Sequence, residues 1–243
     1  MAPTELSIFV TCNSGKLLMN NQEKPLKSTK KPWPTKEAME QVYHRKLWGT
    51  GDSEFFSGSG SHQTELTEPY IKVVGDFLNS FTEAPIVCDL GCGDFNVGRK
   101  LVKFAGRYIA IDIVEPLIKY NTEHFRQENL EFHCLDIAKD RLPSADIVIL
   151  RQVLQHLSNA EVHTILKKLS VYKYLILTEH IPEGDFIPNK DIISGQGIRL
   201  KKQSGVDITA SPFNFKAKEK ITLLRLPAID HKGIIETSVF RIQ

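Results

Sequence analysis

The chain has 243 residues, 41% of them apolar, and 31 Lys and Arg set against 29 Asp and Glu leave a formal charge of only +2. That is apolar material for one substantial core with a modest extension, and the near-neutral balance argues against binding nucleic acid through overall charge. The four cysteines, Cys12, Cys88, Cys92 and Cys134, form no CxxC pair and have no histidine at metal-ligand spacing, so no metal site is expected.

Cys88 and Cys134 fall in predicted buried strands, where free thiols behave as small hydrophobes and a reducing compartment is the simpler reading. Leu6 to Val10 is broken by Ser7 and falls short of a signal peptide. No segment approaches the roughly 20 apolar residues that span a bilayer. A soluble, cytoplasmic protein without a membrane partner is expected. Charge is uneven, with eight Lys or Arg against four acids in residues 1–48 and six against two in residues 195–220. Either segment could face an anionic substrate, although a solvated surface is the commoner meaning of such runs.

Residues 1–34 are weakly patterned and are expected to form a flexible arm, with residues 35–243 as one domain. Thr35 reads as an N-cap, and Met39, Val42, Tyr43 and Leu47 recur at helical spacing, predicting a helix over 36–48. Residues 49–61 (GTGDSEFFSGSGS) have the composition of a mobile loop around Phe55 and Phe56. Thr67 is then expected to cap an amphipathic helix carrying Tyr70, Val73, Val74, Phe77, Leu78 and Phe81.

The chain is organised around residues 85–101, PIVCDLGCGDFNVGRKL. A short apolar strand ends in Asp89, and Gly91 and Gly93 allow a tight turn before a helical pattern resumes at Val97. Such a turn lets a ligand approach the main chain closely. A dinucleotide fingerprint would need a third glycine at the position of Asn96, and the turn lacks the Lys followed by Ser or Thr of a triphosphate loop. An acid ahead of the glycines would repel a pyrophosphate and suits a cationic ligand, such as S-adenosylmethionine with its ammonium and sulfonium. The run resembles the first motif of class I (Rossmann-like) S-adenosylmethionine-dependent methyltransferases, Asp or Glu, x, Gly, x, Gly, x, Gly. It departs from that motif at Phe95, which replaces the last glycine.

The resemblance implies an α/β fold: a doubly wound, seven-stranded, mostly parallel sheet with an antiparallel strand in a C-terminal hairpin. It implies that the two helices within 35–81 precede the glycine strand and that the glycine- and serine-rich segment between them covers the cofactor as a lid. Val97, Leu101, Val102 and Phe104 are read as the first crossover helix, and residues 108–113 as the second strand. Asp112 then stands where a carboxylate lies beside a ribose, next to Ile113. Glu115 and Pro116 open the next helix. The third strand is read as residues 130–137, and the resemblance gives Asp136 the adenine amino group and lets Ile137 pack on the adenine. His133 reads as a core-edge histidine.

Residues 145–152 form a near-continuous apolar strand, as a central parallel strand should. The following RQVLQHLS resembles the family's contact region for the methionine portion or the acceptor, which puts Arg151, Gln152 and His156 nearest the chemistry. Ser158 and Glu161 make a capping box. Residues 174–178 are the fifth strand, followed by Glu179 and His180. Residues 181–220 show little periodicity and are read as an acceptor loop, with no recognisable crossover helix. Residues 221–226 and 234–242 form the terminal hairpin.

With Asp89, Gly91, Cys92, Gly93, Asp112, Ile113, Asp136, Ile137, Arg151 and Gln152 as cofactor contacts, the expected reaction is in-line methyl transfer to an oxygen or nitrogen of a small molecule or sugar-like metabolite. His156 and His180 are the candidate bases, with His62 and Tyr43 behind them. The alternatives are a protein or RNA substrate and a non-catalytic, S-adenosylmethionine-binding regulatory module. RNA is disfavoured because aromatic interleaving on a dense basic surface is missing.

Overall fold

The computed structural model describes residues 32–229 and 232–243; the arm expected over residues 1–34 lies almost wholly outside them. Seven strands form one sheet in the order β3-β2-β1-β4-β5-β7-β6. They are β1 (Ile86–Leu90), β2 (Arg107–Asp112), β3 (Leu130–Cys134), β4 (Ile147–Arg151), β5 (Tyr174–Ile181), β6 (Glu219–Pro227) and β7 (Ile234–Arg241). β7 runs antiparallel to both neighbours, and the other pairings are parallel. This is the expected doubly wound sheet with its C-terminal hairpin.

Alternation along the strands builds two cores. Cys88, Leu90, Ile109, Ile111, Val148 and Leu150 face one side, packing with Leu117 of α3 (Glu115–His124) and with Val162, Ile165 and Leu169 of α4 (Asn159–Leu169). Met39 of α1 (Thr35–His44) joins that cluster. Val87, Tyr108, Ala110, Ile147 and Ile149 face the other side, against Tyr70, Val74 and Leu78 of α2 (Thr64–Leu78). Strands buried on both faces read as unbroken apolar runs.

The chain winds outward from β1 to β3 and returns to β4 beside β1, so the order reverses between β1 and β4. In open α/β sheets the crevice beyond the carboxyl ends of the strands at such a reversal is where ligands bind.

Several local expectations are corrected. α1 ends at His44, because Lys46 (φ 52) and Gly49 (φ 108) turn the chain into left-handed conformations. Pro34, not Thr35, precedes its first turn, and the Thr35 hydroxyl donates to Glu161 instead. Thr67 is buried within α2, its N–H bonded to the Gln63 carbonyl at 2.9 Å, so that helix starts at Thr64. The first crossover is two 3₁₀ turns, Gly98–Lys100 and Val102–Phe104.

Strand ends also differ. β3 stops at Cys134, whose side chain is exposed, and Asp136 begins the next turn by accepting from the Ala138 N–H at 2.9 Å. β5 runs on to Ile181 because β7 pairs with it along eight residues, so Glu179 and His180 lie within the strand. Between β5 and β6 the described residues hold a single 3₁₀ turn, Arg199–Lys202.

Candidate active site

At the sheet reversal the glycine turn is held by the neighbouring strand. Gly91 and Cys92 both donate to the Ile111 carbonyl, at 2.8 and 2.9 Å, and Gly93 donates to the Asp112 carboxylate at 3.1 Å. The other Asp112 oxygen accepts from Val114 N–H at 3.1 Å. Gly91 (φ 83) and Gly93 (φ 57) are left-handed, and a Cβ there would come within 2.4 Å of Val153 and of the Ser57 hydroxyl, respectively. Both the backbone conformation and the close approach therefore require glycine.

Phe95, where the resembled motif has glycine, is also left-handed at φ 61 and fully buried. A bulky residue rarely adopts that conformation. Its ring meets Tyr108, Phe125 and Phe132 edge-on, with centroids 4.8 to 5.9 Å apart, so aromatic packing offsets the backbone cost.

Asp89 accepts from the Tyr108 hydroxyl at 2.9 Å. Burial pushes its carboxyl up to about 6, against the lowering effects of the Tyr108 bond and of Arg151. Asp112 is likewise raised, chiefly by burial, with its backbone hydrogen bonds opposing. Two buried carboxylates above their ordinary range form a place where a cation would be welcome.

The segment between α1 and α2 is tied down at two points. Asp94 accepts from Ser57 N–H and pairs with His62 Nε2, each at 2.7 Å, while its own N–H donates to Ser57 Oγ at 2.8 Å. Tyr43 and Ser57 share a hydroxyl contact of 2.9 Å. The Arg151 guanidinium reaches across to the Gly60 carbonyl at 2.6 Å and to Ser61 Oγ at 3.2 Å, its Cζ 4.9 Å from the Tyr70 ring centroid.

Beneath this segment lies a cavity of about 520 Å³. Asp89, Gly91, Cys92, Gly93, Asp112, Ile113, Asp136, Ile137, Arg151, Gln152, His156 and His180 all line it, as does Tyr43. His62 instead holds Asp94 and stacks on Phe56, 4.4 Å between centroids. His133 pairs with Glu131 at the far edge strand, 3.0 Å away. Arg151 and Gln152 meet the covering segment: a Cβ on Gly60 would stand 2.8 Å from Gln152 Oε1.

Beyond β4 the cavity is lined by Trp48, His156, His180, Gln196, Ile198 and Lys201, among others. His156 sits 5.0 Å from the Trp48 ring, and burial pushes its imidazole down to about 4, opposed by backbone acceptors at Gly195 to Gly197. It is therefore neutral at pH 7. His180 Nε2 lies 3.2 Å from the Lys232 carbonyl, an acceptor only, so that nitrogen carries the proton.

This end hangs on two buried side chains that the periodicity did not single out. Glu179 accepts from Leu154 and Gln155 N–H, both at 3.0 Å, and so holds the 3₁₀ turn Leu154–His156 that follows β4. Burial raises the Glu179 carboxyl, with Arg199 opposing. Arg199, 1% exposed, donates to the carbonyls of Leu154 and Leu157 at 2.9 and 2.7 Å and to Asn159 Oδ1 at 2.8 Å. Asp94 and Ser57 were likewise missed. An acid directly after Gly93 was the available signal for Asp94, whereas Arg199 looked like any member of a basic run.

Among the described residues no cluster of three or more His, Cys, Asp or Glu could hold a metal ion, and no helix is long and apolar enough to cross a membrane. Residues 87–172 match the sequence model of a family described as "Methyltransferase domain". Phosphoethanolamine N-methyltransferase of Triticum aestivum is 31% identical over 106 residues, which cover 41% of this chain and 20% of that protein. Phosphoethanolamine N-methyltransferase 3 of Arabidopsis thaliana is 30% identical over 94 residues, 36% of this chain and 19% of the relative. The matches thus span about a fifth of the curated relatives' length.

The N-methyltransferase NodS of Bradyrhizobium japonicum WM9, solved with S-adenosyl-L-homocysteine, superposes with a TM-score of 0.60 at 13% identity, covering 84% of this chain and 98% of NodS. Magnesium protoporphyrin IX methyltransferase of Synechocystis PCC 6803, also solved with S-adenosylhomocysteine, gives 0.54 at 16% identity, covering 86% and 100%.

Proposed function

We propose that the chain is a class I S-adenosylmethionine-dependent methyltransferase, similar over residues 87–172 to the methyltransferase domain family, and that it methylates an oxygen or nitrogen of a small molecule. One observation carries the acceptor class: a single cavity of about 520 Å³ lies under the tied-down segment containing Ser57, Gly60 and Ser61. That volume falls in the range for small-ligand pockets, roughly 300 to 1,000 Å³. The curated relatives match over 106 and 94 residues, about a fifth of their own length, so their acceptors do not decide this one.

The residues fit the cofactor. Asp89 offers a buried negative charge to an ammonium, and the Asp112 oxygens, each holding one backbone N–H, keep lone pairs for hydroxyl donors. Ile113 and Ile137 supply apolar walls, and Asp136 supplies an acceptor beside them. When bound, S-adenosylmethionine supplies a methyl group already activated on sulfonium.

What remains for the protein is alignment, exclusion of water and removal of a proton. Alignment comes from the sheet-held glycine turn, and water exclusion from the segment latched by Asp94 and Arg151. Proton removal falls to a histidine. A base is best poised near neutral pH, and His156 is held far below that. We assign the role to His180, the other histidine that lines the cavity beyond β4.

Melting the protein with saturating S-adenosylhomocysteine, with NAD and ATP as controls, tests the cofactor. At about 100 times the dissociation constant the ligand adds roughly 2.7 kcal/mol, a rise of about 5 to 10 °C for a domain of this size. Radiolabelled S-adenosylmethionine with a cell extract tests the acceptor. Label confined to protein or RNA would overturn the small-molecule reading. His180→Gln should cut turnover by roughly 10²- to 10⁴-fold at unchanged S-adenosylhomocysteine affinity; undiminished turnover would remove His180 from the mechanism.

A further inference from the structure

The cavity has opposite electrostatic character on its two sides, and this bears on which small molecule it accepts. Asp89, Asp94, Asp112 and Asp136 all belong to the side built by the carboxyl ends of β1, β2 and β3. The fifth lining acid, Glu161, has its carboxylate occupied by the hydroxyls of Thr35, Ser158 and Ser194. Past β4, the lining residues drawn from β5, β7 and the connection between β5 and β6 include no acid among the described residues. They include His180 and one cation, Lys201.

Lys201 is set apart from its neighbours by what its ammonium touches. Lys190 donates to the Lys202 carbonyl at 2.9 Å, and Lys202 donates to the Asp191 carbonyl at 2.6 Å. Both are consumed in tying the connection to itself. Lys201 makes no hydrogen bond or ion pair among the described residues. It stands at the cavity wall on a turn whose position is fixed by the buried Arg199. A long, exposed cationic side chain on a pinned backbone, at the wall of a cavity half without acids, is arranged to meet a negative charge that the chain itself does not supply.

Building on the small-molecule reading above, we propose that the methyl acceptor carries an anionic group, a carboxylate or a phosphate, that is held by Lys201 and is distinct from the atom that takes the methyl. The division of charge also orients the two ligands. A cationic donor is drawn to the aspartates and an anionic acceptor to the lysine, so each is disfavoured in the other's place. Apolar Ile198 and Ile235 and the Trp48 ring would cover the uncharged remainder of the acceptor.

The test uses the full chain, radiolabelled S-adenosylmethionine and the small-molecule fraction of a cell extract, with products separated on a strong anion exchanger at pH 8. Retained label, eluted by salt, is the expected result. Phosphatase treatment then separates the two sources: release of the label from the resin means phosphate, and persistence means carboxylate. Label in the flow-through would overturn this proposal and leave the small-molecule reading intact. No labelled small molecule, alongside a normal S-adenosylhomocysteine shift, would overturn both.

Lys201→Glu should lower kcat/KM for the retained acceptor at least tenfold, mainly through KM, with S-adenosylhomocysteine affinity unchanged. Lys201→Met should fall between it and wild type, and Lys216→Glu, on the exposed surface, should match wild type. An unchanged KM in Lys201→Glu would overturn the assignment to Lys201.

Discussion

The two sides of the cavity are built in different ways. On the cofactor side, the glycine turn takes its position from main-chain bonds to β2, so that the sheet itself dictates where Gly91, Cys92 and Gly93 lie. On the side proposed for the acceptor, the turn bearing His156 and the connection bearing Lys201 are joined through the side chains of Glu179 and Arg199. A backbone-built site follows from strand order and tolerates many side chains. A site hung on two buried ionisable residues can be reshaped by changing them, at a high cost in stability whenever one is removed alone.

The sharpest test of this contrast is Arg199→Met. It strands the carbonyls of Leu154 and Leu157 and leaves Glu179 without its cation. Breaking a buried charged contact costs about 3 to 5 kcal/mol, so thermal unfolding should begin roughly 6 to 20 °C lower. The comparison requires more than that. At a temperature where the variant is still folded, S-adenosylhomocysteine affinity should change by less than about threefold, while protease cleavage within residues 182–218 accelerates. Parallel loss of cofactor binding would mean that the two sides are one unit.

Phe95→Gly probes the cofactor side from the opposite direction. Restoring glycine where the resembled motif has it relieves a left-handed residue, a gain of about 1 kcal/mol. It also empties the space among Tyr108, Phe125 and Phe132, a loss of about 3 to 5 kcal/mol. Net destabilisation of about 2 to 4 kcal/mol is expected in urea unfolding, with S-adenosylhomocysteine still bound because the β2 carbonyl holds the turn.

These two residues also mark how far the sequence could be read. That the glycine turn, Asp89 and Asp112 would line one cavity was legible from local spacing: strand, glycines, and an acid at the next strand's end. The sheet order was legible because two-sided burial leaves apolar runs. Phe95 showed a departure from the motif, but not that the crossover would be two 3₁₀ turns. Arg199 and Glu179 carried no local signal, since their meaning depends on contacts 24 to 45 positions away. The ends of α1, α2, β3 and β5 were misplaced for the same reason. Left-handed residues and partner strands set them, not propensity.

Asp89→Asn should produce a smaller effect of unusual sign. The folded-state carboxyl is raised to about 6 from the ordinary 3.8. A raised carboxyl stabilises the fold fully below its unfolded value, and that contribution is lost as pH rises through about 6. At pH 8 the charge is therefore a burden on the ligand-free protein, about 1 to 3 kcal/mol for a shift of this size. The amide keeps an acceptor for the Tyr108 hydroxyl, so the variant should melt a few degrees higher than wild type at pH 8, with the gap narrowing below about pH 6 and closing near pH 4, while S-adenosylhomocysteine binding is lost. In wild type the same linkage makes binding of the cationic ligand tighten as pH rises from about 5 to 7, with proton release visible in calorimetry. Equal affinity at both ends of that range would mean that Asp89 does not meet the ammonium.

Ser57→Ala addresses the seam where the covering segment meets the glycine turn. The Ser57 hydroxyl accepts from the Asp94 N–H and contacts Tyr43, while the backbone bond from Ser57 to Asp94 survives the substitution. The Asp94 N–H and Tyr43 contacts are lost, while the His62–Asp94 pair and the Arg151 bonds to Gly60 and Ser61 remain. A cost of about 0.5 to 1.5 kcal/mol follows. Because that cost falls on local opening, global melting should move by only a few degrees, whereas nicking within residues 49–61 should quicken by roughly two- to tenfold. Saturating S-adenosylhomocysteine should slow nicking in both proteins if the segment closes over the cofactor. Cleavage that ignores both the substitution and the ligand would show that the segment is a fixed wall, and that access to the cavity is controlled from the acceptor side alone.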